Sequence, residues 1–365
     1  MEQNTSRNYS EPNAPVGGES SPPLTFPVLA TYVLLAANVA IFVLTALLAA
    51  HESPLWKEGL YLWLSGRPQS PQQEAFFIDL LLSFGAAYGP YLERGEYWRL
   101  VTPMFLHGGI IHLGINSYAL LILGTILERV YGYGRFSLLY VMSGAAGCAA
   151  SMILSERTSV GASGAIFGIA GALLVVGFRH PQIVPRGMRG AFGRGILPMI
   201  VLNLFLGSII PFIDQWGHLG GLLGGAVMAF LIPPPAAERS AERELGPEGE
   251  ASPQAFLWVP LLIVALAFAF EVEHYLKASE FRQSSAAPLE EANQHLARGK
   301  YQDALTALDS LAQDDQPLPP RLAVPLARAH LGMGELEKAE ALLDETLREN
   351  PRLVEGQIVL AAVYR

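Results

Sequence analysis

Long apolar runs recur along this chain, and they constrain its fold more than any other feature. The run at 26–50 exceeds the roughly 20 apolar residues that a helix needs to cross a bilayer. Because lipid offers backbone groups no hydrogen bonds, each such run is predicted as a membrane helix. Further runs lie at about 104–127, 136–155, 160–178, 196–213 and 216–232, and a shorter one at 255–270 contains Pro260.

The predicted fold is all-α: a polytopic bundle of membrane helices followed by a soluble helical domain. With 51% hydrophobic and 16% charged residues, the chain is too apolar for an ordinary soluble protein. We expect a six-helix membrane core over 26–232, a polar linker over 233–254 and a seventh helix over 255–272. Residues 1–25 are rich in Ser, Pro, Asn and Gly, so they are predicted to be disordered. They also lack the features of a signal peptide. Aromatic residues in 51–103 favour a place in the membrane interface.

The region 285–365 is predicted to form helical repeats. Gly-Lys-Tyr-Gln-Asp-Ala at 299–304 recurs in altered form as Gly-Glu-Leu-Glu-Lys-Ala at 334–339, and Pro351 closes the second unit. This spacing resembles tetratricopeptide repeats, although an unrelated pair of helical hairpins is the alternative. Stacked repeats present surfaces for binding, so a protein partner is possible here.

Arginines in the predicted loops indicate an orientation. They follow the second and fourth helices, whereas the loops after the third and fifth contain only Arg157. Since arginine-rich loops stay in the cytoplasm, the N-terminus is expected inside and Ser163 and His218 toward the outer face. Seven spans then place the repeats outside. The arginines concerned are Arg129, Arg135, Arg179, Arg186, Arg189 and Arg194.

Charge and cysteine content narrow the function classes. The net charge is −9 and no basic stripe occurs, so a nucleic-acid partner is not expected. Cys148 is the only cysteine, which excludes an intramolecular disulfide and a site with several cysteine ligands.

Three of the apolar segments contain polar residues that are costly in a bilayer. Ser163 stands among glycines at the start of one run, and His218 opens another that contains Gly221 and Gly225. A third segment contains His107, His112 and Asn116. Taken alone, Ser163 could be one more small residue that lets helices pack closely. Three such segments instead indicate a site that faces the bundle interior.

Serine becomes a nucleophile when a base removes its proton, and histidine titrates in the right range to be that base. Ser163 and His218 fit these roles, and the Ser163 N–H at a helix start is a candidate oxyanion donor. His112 and Asn116 lie four residues apart, so they share one helix face as further donors. Asp214 could orient His218 as the third member of a triad, but we favour a role as helix cap. A metal site is disfavoured because the histidines lack an HExxH pattern, and no cofactor is expected.

Five short motifs occur in a fixed order within about 84–230. They are Trp98-Arg99, His107-xxxx-His112-xxx-Asn116, Glu128-xxx-Gly132-xx-Arg135, Gly161-Ala162-Ser163-Gly164 and His218-xx-Gly221-xxx-Gly225. Each is weak alone, but the ordered set is highly specific. On these motifs the chain resembles the rhomboid intramembrane serine proteases of bacterial type.

The resemblance implies a Ser163–His218 dyad, with His112 and Asn116 helping to bind the oxyanion. It also implies supporting roles for His107, Phe167, Gly161, Trp98 and Arg99. Phe167 stands where the family often has tyrosine, so a ring contact with His218 is expected without a phenol hydrogen bond. Gly217 replaces a frequent alanine.

The implied activity is hydrolysis of peptide bonds in or near transmembrane segments of membrane proteins, in a bacterial inner membrane. Two other function classes stay open. One is a proteolytically inactive rhomboid-like binder, which the presence of both Ser163 and His218 disfavours. The other is a repeat-bearing scaffold, in which five polar motifs would be hard to explain.

Overall fold

A computed structural model describes residues 27–237 apart from 53–55, 156, 185 and 211–212, and residues 255–364 apart from 310, 312–317, 319 and 350–352. The predicted disordered segment 1–25 and most of the linker 233–254 lie outside these residues. Helices make up the regular structure of the part described, which confirms the all-α prediction. An isolated antiparallel bridge joins Ala87 to Ser159.

The helices of the membrane region follow the predicted apolar runs, with differences at their starts. The run predicted at 104–127 becomes helical only at Ile110, because a 3-10 turn (Thr102–Phe105) and the glycine pair Gly108-Gly109 precede it. The elements are α1 (Ala30–Glu52), α2 (Trp56–Ser65), α3 (Pro71–Ser83), α4 (Gly89–Glu93), α5 (Ile110–Ala119), α6 (Thr125–Leu154), α7 (Ser163–Arg179), α8 (Leu197–Ile209) and α9 (Gln215–Leu231).

Gly132 divides the longest helical stretch into two spans. Helix α5 continues through a π turn into α6, giving 45 residues from Ile110 to Leu154. A straight helix of that length would measure roughly 67 Å, twice the thickness of a bilayer core. Gly132 breaks it with φ of 72°, a value that favours glycine. The chain therefore crosses and returns. Stretches that are long and apolar enough to span are Ala30–Glu52, Ile110–Leu154, Gln215–Ala237 and Val259–Lys277, and Ser163–Arg179 and Gly193–Ile209 are shorter apolar helices.

Buried hydrogen bonds connect the helices of the bundle at the end where α1 begins. The carboxylate of Glu128 accepts the backbone N–H groups of Leu29, Ala30 and Thr31 at 2.7–2.8 Å, so it caps α1 from α6. Arg135 donates to the carbonyl of Pro233 at 2.7 Å, near the end of α9. These bonds satisfy the backbone groups that helix ends leave unpaired, and they explain the Glu128 and Arg135 positions of the third motif.

The helix predicted at 255–272 runs without interruption as α10 (Ala255–Ala297), past Pro260 and Pro288. Its Tyr275 donates a hydrogen bond to Glu52 at the last residue of α1, at 3.1 Å. Glu128 caps the start of α1 near Gly132, and α6 runs from there to the loop before α7, so α1 ends on the side where α7 and α9 begin. Helix α10 therefore leaves the bundle on the side of Ser163 and His218.

The last part of α10 starts the soluble repeats. Helices α11 (Tyr301–Asp309), α12 (Pro320–Gly332), α13 (Leu336–Glu349) and α14 (Val354–Val363) follow. Gly299 and Gly334 occupy the same turn position of successive repeats, with φ of 69° and 78°. Small and aliphatic side chains fill the core between the helices: Ala292, Leu296, Ala304, Leu308, Leu322, Leu326 and Ala329 in the first unit, then Val324, Ala327, Ala339, Leu343, Val359 and Val363.

Candidate active site

Ser163 and His218 meet between two helices that start side by side. Ser163 is the first residue of α7, and His218 lies in the first turn of α9. The Ser163 Oγ and His218 Nε2 atoms are 2.9 Å apart, a hydrogen-bond distance. The ring of Phe167, one turn beyond Ser163, stacks on the imidazole with 4.2 Å between centroids. His218 is 9% exposed, so the pair is shielded by protein.

Glycines allow α7 and α9 to approach this closely. A Cβ atom added to Gly221 would collide with the carbonyl oxygen of Gly164, and one added to Gly225 would collide with that of Gly168. Backbone atoms cannot move aside as a flexible side chain can. The small-residue packing considered for Ser163 is therefore present at its neighbours Gly164 and Gly168, and it brings the serine and the histidine together.

Asp214 caps α9, as favoured from the sequence. Its Oδ1 accepts the backbone N–H of Gly217 at 2.9 Å, and its Oδ2 accepts the Ser159 hydroxyl at 2.5 Å. The Nδ1 atom of His218 is buried without a hydrogen-bond partner among the described residues. The structure thus shows a dyad-like pair whose histidine is held by its helix and by the Phe167 ring.

His112 and Asn116 face the loop that carries Ser163. A Cβ atom added to Gly161 would lie 2.8 Å from the His112 ring and 3.9 Å from Asn116 Nδ2, so these groups edge the loop two residues before the serine. Gly161 has φ of 119°, which only glycine adopts readily. Asn116 Nδ2 donates to the carbonyl of His112 at 3.0 Å. Both side chains therefore border the loop two residues before Ser163.

His107 lies behind this edge. It is fully buried, its Nδ1 is 3.3 Å from the carbonyl oxygen of Phe105, and its ring centroid is 5.3 Å from that of His112. It therefore braces the turn before α5. Within the described residues, no group of three or more His, Cys, Asp or Glu side chains could hold a metal ion.

Comparison with known proteins places this site in a family. Residues 94–235 match the model of the Rhomboid domain, and residues 295–362 match a tetratricopeptide repeat model. The chain is 34% identical over 232 residues to RHOMBOID-like protein 5 of Arabidopsis thaliana, a match that covers 60% of this chain and 74% of that protein. The chain belongs to the rhomboid family.

Two other relatives extend the comparison. This rhomboid is 35% identical over 286 residues to Rhomboid protease GluP of Bacillus subtilis (strain 168), which covers 78% of the chain. The match spans about half, 52%, of the length of GluP. RHOMBOID-like protein 2 of Arabidopsis thaliana is 40% identical over 142 residues, covering 39% of this chain and 44% of that protein. With its apolar helices, this rhomboid is a multi-pass membrane protein with tetratricopeptide repeats after the rhomboid domain.

Trp98 and Arg99 of this rhomboid lie away from the dyad, in the segment before α5. Arg99 is fully buried, and its guanidinium donates to Glu96 Oε2 at 2.7 Å and to the carbonyl oxygens of Leu82 and Ala86 at 2.7 and 3.0 Å. It also covers the Tyr91 ring at 4.1 Å. Burial raises the pKa of the Tyr91 hydroxyl, so this contact is a cation–π interaction with a neutral ring.

Replacing Arg99 by alanine should lower thermal stability and activity together. The change leaves the nearly buried Glu96 carboxylate and two carbonyls without their donor, and breaking such a buried pair costs about 3–5 kcal/mol. Thermal unfolding in detergent and substrate cleavage, measured on the same preparations, test this. Arg94→Ala is the matched control, because Arg94 is exposed over the same ring. Lost activity at unchanged stability would move Arg99 into the substrate site.

Two residues of this region have no place in the sequence-based site. Ser159 links the α9 cap to the Ala87 bridge, and only the folded loops bring these positions together. Glu271 of α10 is buried at 5% exposure beside Trp98. An acidic residue directly after the seventh apolar run, and within the helix predicted over 255–272, was the signal that could have identified it.

Proposed function

We propose that this rhomboid is an intramembrane serine endopeptidase with Ser163 as nucleophile and His218 as general base. The observation that carries the proposal is the 2.9 Å contact between Ser163 Oγ and His218 Nε2. An isolated serine hydroxyl is a weak nucleophile, and a histidine at this distance can take its proton as the oxygen attacks. The family relationship and the protease named among the relatives support the same activity.

The reaction then follows from the geometry. Ser163 Oγ attacks the scissile carbonyl carbon while its proton passes to His218 Nε2, and the carbonyl oxygen becomes an oxyanion. The Ser163 N–H, His112 and Asn116 stabilise that charge. Imidazolium then donates its proton to the leaving amine as the C–N bond breaks. Water attacks the acyl-enzyme with His218 again as base, which releases the carboxylate product and restores the serine.

The substrate must present an exposed amide at a site surrounded by membrane helices. A helical amide is shielded by its own hydrogen bonds, so the substrate helix has to unwind locally. Small residues at the cleavage point and helix breakers nearby would lower that cost. The substrate class is therefore transmembrane segments of membrane proteins that contain such residues.

Labelling with a fluorophosphonate tests the catalytic assignment directly. The reagent phosphonylates an activated serine, so wild-type protein in membranes should react while Ser163→Ala should not. His218→Ala should react far more slowly, because the serine has lost its base. An unlabelled wild-type protein would favour the inactive rhomboid-like binder. Labelling that persists in Ser163→Ala would place the activated group elsewhere.

For location, we propose a bacterial inner membrane with the N-terminus in the cytoplasm and the repeats outside. Arg129 and Arg135 on either side of the break at Gly132, and the arginine-rich loop after α7, support this orientation. Helix α10 leaves the bundle on the side of Ser163 and His218, so the repeats emerge on the side where the site opens. We further propose that they recruit the ectodomains of substrates and so raise the local substrate concentration.

Removing residues 299–365 should separate recruitment from chemistry. This deletion keeps α10 and its contacts with the membrane core while it removes α11 to α14. Cleavage of a natural substrate with its ectodomain should fall, whereas a short transmembrane peptide should be cut at the normal rate. Equal loss on both substrates would contradict recruitment, as would a cysteine introduced at Ser284 that reacts only from the cytoplasmic side. Assembly with another envelope protein is the alternative role for the repeats.

A further inference from the structure

A buried carboxylate in α10, the predicted seventh membrane helix, has no part in the dyad or in the five motifs. Glu271 lies within the span Val259–Lys277 and is 5% exposed. Placing a carboxylate in such surroundings costs several kcal/mol unless polar partners compensate. By contrast, the nearby Glu273 on the same helix is exposed and pairs with Lys277 at 2.7 Å. The buried position of Glu271 therefore calls for a specific role.

Glu271 joins α10 to the segment that precedes α5. Its Oε2 accepts the indole N–H of Trp98 at 3.0 Å. The neighbouring Phe270 stacks on the same indole, with 5.8 Å between centroids and 16° between planes. A Cβ atom added to Gly85 would lie 2.5 Å from Oε2, so the backbone there also abuts the carboxylate. Helix α10 thus holds Trp98 by its ring face and by its N–H.

A short series of hydrogen bonds connects Trp98 to the loop that precedes Ser163. Residues 97–105 form two successive 3-10 turns, here called the turn segment. Within it the single proton of the Thr102 hydroxyl is shared by the carbonyl oxygen of Gly85 at 2.8 Å and that of Trp98 at 3.3 Å. The next residue, Pro103, uses its carbonyl to accept the backbone N–H of Gly161 at 2.8 Å. Gly161 is two residues before Ser163.

We propose that Glu271 is a positioning residue that holds the turn segment, and through Pro103 and Gly161 fixes the backbone around Ser163. The inference rests on the proposed function and deepens it. It assigns a role in shaping the site to α10, a helix that lies outside the five motifs of the membrane core. Because α10 continues unbroken to Ala297 and contributes Ala292 and Leu296 to the repeat core, the same contact ties the repeats to the loop that carries the nucleophile.

Four variants and one control test this role. Glu271→Leu removes the acceptor at similar volume, Trp98→Phe removes the donor but keeps a ring, and their double variant closes the cycle. Glu271→Gln keeps an oxygen acceptor for the indole and should rescue. Tyr275→Phe is the control, because it removes a hydrogen bond of the same helix to Glu52, away from the turn segment. The readouts are kcat, KM, thermal midpoint and the rate of Ser163 labelling by a fluorophosphonate.

Glu271→Leu should lower kcat and the labelling rate by about 10- to 100-fold, the range expected when a remote change misplaces reacting groups, with KM near the wild-type value. Trp98→Phe should act similarly, and the double variant should be no worse than the larger single change. Normal labelling of Glu271→Leu, or losses that add in the double variant, would overturn the positioning role. The positioning role would also be overturned if Tyr275→Phe lowered kcat and the labelling rate as much as Glu271→Leu while the two variants had equal thermal midpoints. An unlabelled wild-type protein would instead refute the proposed function itself.

Discussion

Replacing Ser163 or His218 by alanine should abolish cleavage of a model transmembrane substrate while the protein stays folded. In a serine–histidine mechanism either loss removes proton transfer and covalent catalysis together, an effect on the order of 10⁶-fold in kcat. Ser163→Ala deletes a single oxygen at a helix start, so the thermal midpoint should stay near that of wild type. Cleavage assayed by gel and thermal unfolding of the same preparations provide the measurement. Substantial activity in Ser163→Ala would refute the dyad.

Asn116→Ala in the same assay should show a smaller, graded loss. Losing one oxyanion donor lowers kcat by about 10- to 1,000-fold, because the remaining donors still stabilise part of the charge. Fluorophosphonate labelling should slow as well, since the phosphonyl oxygen occupies the oxyanion position. A variant with normal kcat but raised KM would show that Asn116 binds substrate in the ground state instead.

The pairing of Ser163 with His218 was predictable because each residue lies in a local pattern, a polar side chain beside glycines at the start of an apolar run, although the contact itself spans 55 residues. Ser163 and Gly164, or His218 and Gly221, carry both the polar group and the glycines that bring the helices together. Asp214 was predictable as a cap for the same reason, since it contacts a backbone N–H three residues away. The relation of Gly161 to His112 was not, because a positive φ and a close ring contact exist only after the loop has folded.

The seventh helix shows where sequence patterns fail. Apolar content ends near residue 270, so the sequence predicts a helix over 255–272 and separate repeats from residue 285. The structure joins the two in α10, because the intervening polar residues are compatible with helix even though they are not apolar. The Glu271–Trp98 contact joins positions 173 residues apart, and no local periodicity encodes such a pairing. Tertiary contacts of this kind require the folded chain.

Adding a single methyl group at Gly221 should lower stability and activity together. In Gly221→Ala the new Cβ meets the carbonyl of Gly164 on α7, and neither backbone can yield without moving a helix. Overpacking costs about 1–3 kcal/mol, and the shift separates α7 from α9 beside the dyad. We therefore expect a lower thermal midpoint together with a drop in kcat and in Ser163 labelling of about 100-fold, as expected for a misplacement near 1 Å.

Gly164→Ala and Gly114→Ala are matched controls, since each variant also replaces a helical glycine by alanine. At Gly164 an added Cβ would lie 3.3 Å from the carbonyl oxygen of Gly217, a tight contact that a small adjustment can relieve. At Gly114, on the exposed side of α5, nothing lies within 4 Å, so alanine should raise helix stability by roughly 1 kcal/mol. The losses should rank Gly221→Ala first, Gly164→Ala second and Gly114→Ala last. If all three variants kept the wild-type thermal midpoint and labelling rate, the glycine contact between α7 and α9 would not be what sets the distance from Ser163 to His218.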